Sequence, residues 1–345
     1  MTQHSKSITV GDTKIKKGNC FIIADVGSNH MQDLNLALET IDAAAENGAH
    51  AVKFQSLDIE KLYFDPTEDI KSLYSKIYLN EEWYYQLNER CNQRGVHFFS
   101  SPTYMDSIEA LEKLDTKIYK LASAQIGTFP QIIQKVAELK KPTIFSTGLV
   151  SYGELENAVK IFEKNKNDDY IILHCNAIYP TTPDRVNLER MLIYEKMFNC
   201  LVGFSDHTLG NYCSFAAVAK GATVIERHFT SSNSVKSPDM VVSINPDQLR
   251  DLSRGIADIQ KSLVTQPRLT IETEELSFKK SLTYRIVFNR ALKTGDKIKL
   301  QDLKFLRHTE GVDCKDLDFI LSKNARVNAD KLSGELLNWA DLKFE

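Results

Sequence analysis

Apolar residues occur along the chain in short, nearly continuous runs, and a segment with helical spacing follows each of them. Runs without polar alternation are typical of parallel strands that are covered on both faces. Eight such runs are predicted as strands, at 21–26, 51–55, 96–100, 118–122, 142–147, 170–174, 201–204 and 223–229. The clearest helical patterns lie at 34–48, where Gly48 suits the end of a helix, at 152–165 and at 245–263.

Eight strand and helix repeats over about 260 residues predict an α/β fold, a (β/α)₈ TIM barrel. An open, doubly wound sheet is the alternative, but no G-x-G-x-x-G turn follows any of the strands. We therefore assign residues 1–265 to a barrel domain and 266–283, which are polar and lack periodicity, to a linker.

The remaining residues, 284–345, contain two similar segments, GDKIKLQDL at 295–303 and GELLNWADL at 334–342. They predict a small β-rich module with an internal duplication. A module of this size buries only a thin core, so it is expected to dock on something larger. A simple appendage is the alternative interpretation.

The 345 residues carry a net charge of -3 from interspersed acids and bases. No basic surface is therefore expected for a nucleic acid or an anionic membrane. No run approaches the ~18 apolar residues of a membrane span, and the N-terminus lacks the apolar core of a signal peptide, so a soluble, cytoplasmic protein is expected. The six cysteines lack the short paired spacings of zinc or redox motifs, which indicates reduced, packed thiols.

A TIM barrel collects its functional groups at the C-terminal ends of its strands, so polar residues there are candidates for chemistry. They are Asp25, Asn29, His30, Lys53, Gln55, Lys120, Ser123, Gln125, Ser146, Thr147, His174, Asn176, Tyr179, Ser205, His207, Glu226 and His228. Two lysines and several hydroxyls at one barrel mouth predict a site for a phosphorylated or carboxylated anion. Either lysine alone could equally form a salt bridge at the rim.

Ser205, Asp206 and His207 are neighbours in LVGFSDHTLG, yet they do not fit a hydrolytic triad. Successive residues leaving a strand point to opposite faces, so Ser205 and His207 share one side and Asp206 takes the other. His207 and His228 end adjacent strands ~4.8 Å apart, which allows both rings to hold one divalent ion with positions left open for water and substrate. A hydrogen-bonded pair of core histidines is the alternative.

A set of longer motifs extends over nearly the whole chain. They are IADVGSNH, AVKFQ, YKLAS, PTIFSTG, LHCNAIYPTTPDRVNL, GFSDHTLGNY, ATVIERHFT and SPDMVVSINPD. Through these motifs the chain resembles the sialic acid synthase family, whose members condense phosphoenolpyruvate with an N-acylated amino sugar. The pairing of GFSDHT with ERHFT is the most specific, and RHTEGV at 307–312 resembles part of the family's C-terminal antifreeze-like module.

The resemblance implies a role for each matching residue. His207 and His228 would hold Mn²⁺ or Mg²⁺. Phosphoenolpyruvate would contact Lys53, Lys120, Ser123, Ser146 and Ser205, and the sugar would contact Tyr179, Asp239, Asn29 and Gln55. Asp25, Glu226 and Gln125 are the catalytic candidates. Arg307 would reach from the tail of one subunit into the partner's barrel and contact the N-acyl group, in a homodimer.

Several positions depart from the family pattern. Asp25 and Gln125 stand where the family has Glu, Ala177 stands where Asn or Ser is usual, and RHTEG lacks the proline of the tail loop. These changes could retune the sugar specificity toward a legionaminic or pseudaminic acid precursor, slow the reaction, or mark a sugar-binding paralogue without turnover. A Schiff-base aldolase that uses Lys53 or Lys120 as its nucleophile is a further alternative.

Overall fold

The computed structural model of the protein describes residues 6–234, 236–264 and 268–344. The chain divides into two compact units, Met1–Val264 and Thr265–Glu345. The predicted end of the barrel domain at residue 265 lies outside the described residues, so the exact domain limits stay a prediction. Within the described ranges, none of the helices combines the length and apolar character needed to cross a membrane.

The first unit contains ten strands and twelve α-helices among its described residues. The strands are β1 (Ser7–Val10), β2 (Thr13–Lys16), β3 (Phe21–Asp25), β4 (Ala51–Ser56), β5 (His97–Pro102), β6 (Tyr119–Leu121), β7 (Thr143–Ser146), β8 (Tyr170–Cys175), β9 (Leu201–Asp206) and β10 (Val224–His228). The helices are α1 (Leu34–Glu46), α2 (Ile59–Leu62), α3 (Glu68–Ile77), α4 (Tyr84–Arg94), α5 (Met105–Glu112), α6 (Ser123–Thr128), α7 (Pro130–Glu138), α8 (Tyr152–Lys164), α9 (Pro183–Val186), α10 (Glu189–Phe198), α11 (Tyr212–Ala219) and α12 (Pro246–Ser262).

The strands from β3 to β10 form one parallel sheet in the order β5-β4-β3-β10-β9-β8-β7-β6. The two ends of this order, β5 and β6, also lie in contact, so the sheet curls into a barrel. The predicted TIM barrel is confirmed, and the open doubly wound sheet is wrong. Each predicted strand is present with ends that differ by at most two residues; the strand predicted at 201–204, for example, continues to Asp206.

Helix ends follow local capping chemistry. Capping boxes begin α8 at Ser151 and α12 at Asn245, where each side chain accepts a backbone N–H of the first turn. Gly48 follows α1 with φ of +94°, a backbone conformation that favours glycine.

Apolar side chains of the barrel strands alternate between two cores. One set packs inside the barrel, including Phe99, Leu201 and Val224, and the other packs between strands and helices. A hairpin of β1 and β2 places Ile8 and Ile15 in the interior cluster, beside residues from the first positions of the strands. The hairpin therefore covers the N-terminal end of the barrel, opposite the strand ends that carry the polar candidates; it was not predicted.

The second unit contains α13 (Thr273–Leu282), β11 (Tyr284–Phe288), β12 (Leu303–Arg307), α14 (Leu317–Ser322), β13 (Arg326–Val327) and β14 (Leu342–Lys343). The helix α13 occupies most of the range predicted as a linker. The two similar segments form the same turn: Asp302 Oδ2 accepts the backbone N–H of Lys299, and Asp341 Oδ2 accepts that of Asn338, both at 2.9 Å. A short strand follows each turn and pairs antiparallel with β11 or β13.

Candidate active site

A cavity of ≈ 280 Å³ lies at the C-terminal ends of the barrel strands. The predicted site residues on its wall are Asp25, Lys53, Gln55, Lys120, Ser123, Ser146, Tyr179, Ser205, His207, Glu226 and His228. Ala122, Ala124, Leu149, Cys175 and Ala177 line it as well. The structure thus brings together residues that are up to 203 positions apart in the chain.

Strand register explains why these side chains meet. Asp25 on β3 is the register partner of Lys53 on β4, and Ser205 on β9 is the partner of Glu226 on β10. Because side chains alternate along a strand, residues two positions apart share a face. Ser205 and Glu226 therefore share the cavity face with the histidines that follow each of them by two positions.

Four buried charges form the floor of the cavity. Lys120 Nζ donates to both carboxylate oxygens of Glu226, at 2.8 and 3.0 Å, and Lys53 Nζ donates to Asp25 Oδ2 at 2.7 Å. Lys53 Nζ also lies 3.9 Å from Glu226 Oε2. All four side chains are at most 5% exposed. Two positive and two negative groups make this cluster electrically balanced.

Two members of the cluster, Glu226 and Lys53, keep their charges at neutral pH. Burial alone raises the pKa of Glu226, but Lys120 and Lys53 outweigh it and bring that pKa down to about 2. Burial alone lowers the pKa of Lys53, yet Asp25 and Glu226 outweigh it and hold the pKa above its ordinary value. Both groups are therefore ionised in the free site.

The two histidines stack beside each other with ring centroids 5.3 Å apart, and the ring of Tyr179 stacks on His207 at 4.1 Å. His207 Nδ1 lies 2.7 Å from the carbonyl oxygen of Asn176, which can only accept, so Nδ1 carries a hydrogen, and in the neutral ring the lone pair lies on Nε2. His228 Nδ1 is buried without a hydrogen-bond partner and lies 3.5 Å from Asp25 Oδ2.

This geometry limits the kind of metal site that the barrel can offer. Within residues 6–234, 236–264 and 268–344, no cluster of three or more His, Cys, Asp and Glu side chains is suited to hold a metal ion. A cation bound by His207 and His228 would take its remaining ligands from water or substrate. Such an incomplete protein shell is typical of catalytic sites.

Serine hydroxyls surround the charged cluster. Ser205 Oγ donates to Glu226 Oε1 at 2.9 Å, and Ser123 Oγ accepts the backbone N–H of Gly148 at 2.9 Å. Ser146 Oγ and Ser101 Oγ are buried without any partner. Unpaired buried hydroxyls are rare in native proteins, and Ser146 also lines the cavity, so its hydroxyl is available to a ligand. Ser101 was missed, because the third strand was predicted to end at residue 100 and in fact continues to Pro102.

Four of the residues to which the family resemblance gives a role are absent from the cavity wall. The Asn29 amide donates to the Phe229 carbonyl and to Ser243 Oγ, each at 2.8 Å, so its amide hydrogens hold the loop after β10 instead of facing the cavity. Gln125 lies in α6, and its Oε1 is buried without a partner. Arg307, in the second unit, is exposed with its guanidinium 5.3 Å from the centroid of the Tyr284 ring.

Asp239 is the fourth of these residues, and it lies behind the cavity wall. Its Oδ2 accepts both the backbone N–H and the hydroxyl of Ser28 at 2.7 Å. Burial raises its pKa, but the charge of His228 and the Ser28 hydrogen bonds outweigh this and lower it. Gly27, with φ of +50°, leaves room for this carboxylate, which any added Cβ would strike. Ser28 was missed, since the two partners are 211 positions apart.

Comparisons with known proteins show which family the chain is similar to. Residues 40–267 match the model of the NeuB family. The N,N'-diacetyllegionaminic acid synthase of Legionella pneumophila is 34% identical, over 94% of this chain and 95% of that protein. A pseudaminic acid synthase of Campylobacter jejuni is 30% identical, over 94% of this chain and 96% of that protein. The crystal structure of the N-acetylneuraminic acid synthetase of Leptospira borgpetersenii, in complex with citrate, superposes with a TM-score of 0.73 at 32% identity, over 81% of this chain and 98% of that one.

Proposed function

Because the chain belongs to the NeuB family, we propose that it is a nonulosonic acid synthase. It condenses phosphoenolpyruvate with an N-acylated hexosamine, such as N-acetylmannosamine or a legionaminic or pseudaminic acid precursor. The products are a nine-carbon 2-keto-3-deoxy sugar acid and phosphate. The observation that carries the proposal is the cavity in which a buried lysine pair, several serines and two histidines converge.

Phosphoenolpyruvate carries a phosphate and a carboxylate, and the cavity offers donors for both. Lys53 and Lys120 supply positive charge, and Ser123, Ser146 and Ser205 supply hydroxyls on the same wall. Each lysine already pairs with a carboxylate, so the incoming anion shares the ammonium groups with Asp25 and Glu226. These hydrogen bonds hold both ammonium groups in place before substrate arrives, which reduces the entropy lost on binding.

The histidines fit a divalent cation, Mn²⁺ or Mg²⁺. His207 keeps its Nε2 lone pair because Nδ1 donates to a carbonyl, an arrangement common among metal-binding histidines. When bound, such a cation acts as a Lewis acid on a carbonyl oxygen or a water. The donors that His207 and His228 present thus support the metal that the family resemblance implies.

The chain's own groups can carry the bond changes. The lysines orient the methylene carbon of phosphoenolpyruvate toward the aldehyde carbon of the open-chain sugar. The C=C π pair forms the new C–C bond and leaves C2 cationic, while the C=O π pair moves to the aldehyde oxygen, which takes a proton from water and becomes a hydroxyl. Water then adds to the cationic C2 and loses a proton to Glu226 or Asp25, both of which line the cavity. The tetrahedral species releases phosphate, and the C2 keto group forms. Gln125 carries no carboxylate, so it can take part only through hydrogen bonds.

The Schiff-base aldolase is disfavoured by the same cluster. A lysine nucleophile must be neutral, and neutral lysines in such enzymes are produced by burial or by a neighbouring cation. Lys53 is instead paired with Asp25, and its pKa is raised. Lys120 donates to both oxygens of Glu226.

The rim of the cavity supports the proposal of a homodimer in which the partner's C-terminal module covers the mouth. Exposed apolar side chains occur in several segments that follow the barrel strands, and Tyr212 among them begins α11: Leu149, Ile178, Leu209, Tyr212 and Val241. A polar sugar and a phosphate ester do not require such a rim, whereas a second protein surface does. Arg307 of the partner subunit would then contact the N-acyl group, and the reaction would take place in the cytoplasm.

A phosphate-release assay tests the function. The purified protein is mixed with phosphoenolpyruvate, MnCl₂ and a panel of N-acetylmannosamine and 2,4-diacetamido-6-deoxyhexoses. Release that depends on one sugar is expected, and the Lys120→Met variant should lose it. Absence of release with every sugar, under conditions where a known synthase works, would refute the enzyme. Stabilisation by phosphoenolpyruvate without release would instead identify a binding paralogue, and borohydride trapping in chelator would identify an aldolase.

A further inference from the structure

Behind the cavity, on the helix-facing side of β9 and β10, Asp206 and Arg227 form a buried ion pair. Arg227 Nη1 donates to Asp206 Oδ2 at 2.8 Å, and the two side chains are 1% and 0% exposed. Ser214 on α11 donates to the same carboxylate oxygen at 2.6 Å. Each member of the pair stands immediately before a histidine of the cavity, His207 or His228.

The pair also ties down the loop after β9. Arg227 Nη1 also donates to the Gly210 carbonyl at 2.7 Å, and Nη2 donates to the Thr208 carbonyl at 2.8 Å. Asp206 Oδ1 accepts the backbone N–H of Thr208 at 2.8 Å. His207 is therefore held on both sides, by Asp206 before it and by Thr208 after it, and both are linked to the strand that carries His228.

Stability alone is a weak reason to bury such a pair. Removing two charges from water costs several kcal/mol, and apolar side chains of similar volume often serve a fold as well or better. Apolar residues cannot reproduce the planar guanidinium of Arg227, a fork of N–H donors that joins one carboxylate and two carbonyls at fixed distances. The geometry that this fork fixes is the relative position of the ends of β9 and β10.

We propose that the Asp206–Arg227 pair positions His207 and His228 to share one divalent cation, and so sets the metal affinity of the site. The pair touches neither cation nor substrate and acts through the two histidines. The inference rests on the proposed function only in assuming that these histidines bind a cation. In each of the segments 205–207 and 226–228, the middle residue faces the helices and the other two face the cavity. The two middle residues hold the histidines that follow them in place.

Metal binding, measured without substrate, tests the proposal. Mn²⁺ affinity is determined by electron paramagnetic resonance for the native full-length chain and for Arg227→Lys, which keeps the charge but not the fork. A second variant, Asp206→Leu with Arg227→Met, removes both buried charges and so protects folding. The matched control is Tyr84→Phe, which removes a buried hydrogen bond to Ser56 on β4, a strand without either histidine. The melting temperature (Tm) is recorded for each metal-free protein.

Both pair variants are expected to bind Mn²⁺ about 10- to 100-fold more weakly, with Tyr84→Phe unchanged. The proposal is overturned if the apolar double variant binds Mn²⁺ like the native chain, or if Tyr84→Phe weakens binding equally. It is also overturned if the native chain binds no Mn²⁺. A native chain that binds Mn²⁺ but releases no phosphate with any sugar would refute the proposed function alone.

Discussion

The change Glu226→Gln isolates the buried charge cluster with almost no change in side-chain volume. It leaves Lys53 and Lys120 with Asp25 as their one charged partner, so the cluster passes from neutral to a net charge of +1. At the 2.8 Å between Lys120 Nζ and Glu226 Oε1, the attraction at an effective dielectric constant near 20 is about 6 kcal/mol. The easier burial of the neutral amide offsets part of this loss.

We therefore expect Glu226→Gln to lose about 3–5 kcal/mol of unfolding free energy at pH 7, the usual result of removing one partner from a buried pair. At the lower end of that range, the Tm falls by about 6–12 °C. Differential scanning calorimetry measures both. The control is Glu68→Gln, whose carboxylate pairs with Lys71 at 2.7 Å but whose side chain is 88% exposed, so its contribution is small.

The stabilisation that Glu226 gives to the folded protein should depend on pH with a defined sign. The pKa of Glu226 is lower in the folded state than its ordinary value of 4.5, so its stabilising contribution is present above pH 4.5. That contribution is lost as the pH falls toward the folded value of about 2. The difference between native and Glu226→Gln should therefore be complete at pH 7 and shrink below pH 4.5. A Tm loss no greater than that of Glu68→Gln, or a difference that persists unchanged at pH 3, would refute the reasoning.

Three further changes test other parts of the site. His207→Ala should abolish Mn²⁺ binding in calorimetric titration, and full binding would contradict its assignment as a ligand. Ser146→Ala removes a hydroxyl that has no partner in the free protein. The Tm should therefore stay unchanged while the KM for phosphoenolpyruvate rises about 5- to 30-fold. A fall in Tm without a change in KM would contradict the proposal that this hydroxyl binds phosphoenolpyruvate. Asn29→Ala should speed proteolysis in the loop that follows β10, and equal cleavage rates would show that its hydrogen bonds do not hold that loop.

The parts of the fold that could be predicted are those that depend on short sequence patterns. Continuous apolar runs indicated buried parallel strands, and strand alternation placed Ser205 and His207 on one face with Asp206 on the other. The N-terminal hairpin was also readable: Ile8, Val10 and Ile15 alternate with polar residues around a turn at Gly11, which has φ of +58°. That signal was missed because the segment was considered only as a possible signal peptide.

The site residues that could not be predicted depend on distant loops. Strand ends show which residues reach the barrel mouth, but not how their hydrogen-bonding groups are shared. Asn29 was predicted to bind the sugar, and Asp206 was expected only to point to the side opposite Ser205 and His207. Their actual partners, Phe229 for Asn29 and Arg227 for Asp206, follow from register and loop packing that no short pattern contains.

The departures from the family pattern affect the charge cluster less than their chemistry suggests. Asp25 is one methylene shorter than Glu, yet its Oδ2 reaches Lys53 at 2.7 Å and accepts from Gln55 at 3.3 Å. Gln125 lies outside this pairing. A glutamate there would add a negative charge, but Lys53 and Lys120 already have Asp25 and Glu226 as partners. The pairing of Lys53 with Asp25 and of Lys120 with Glu226 is therefore complete without a carboxylate at position 125.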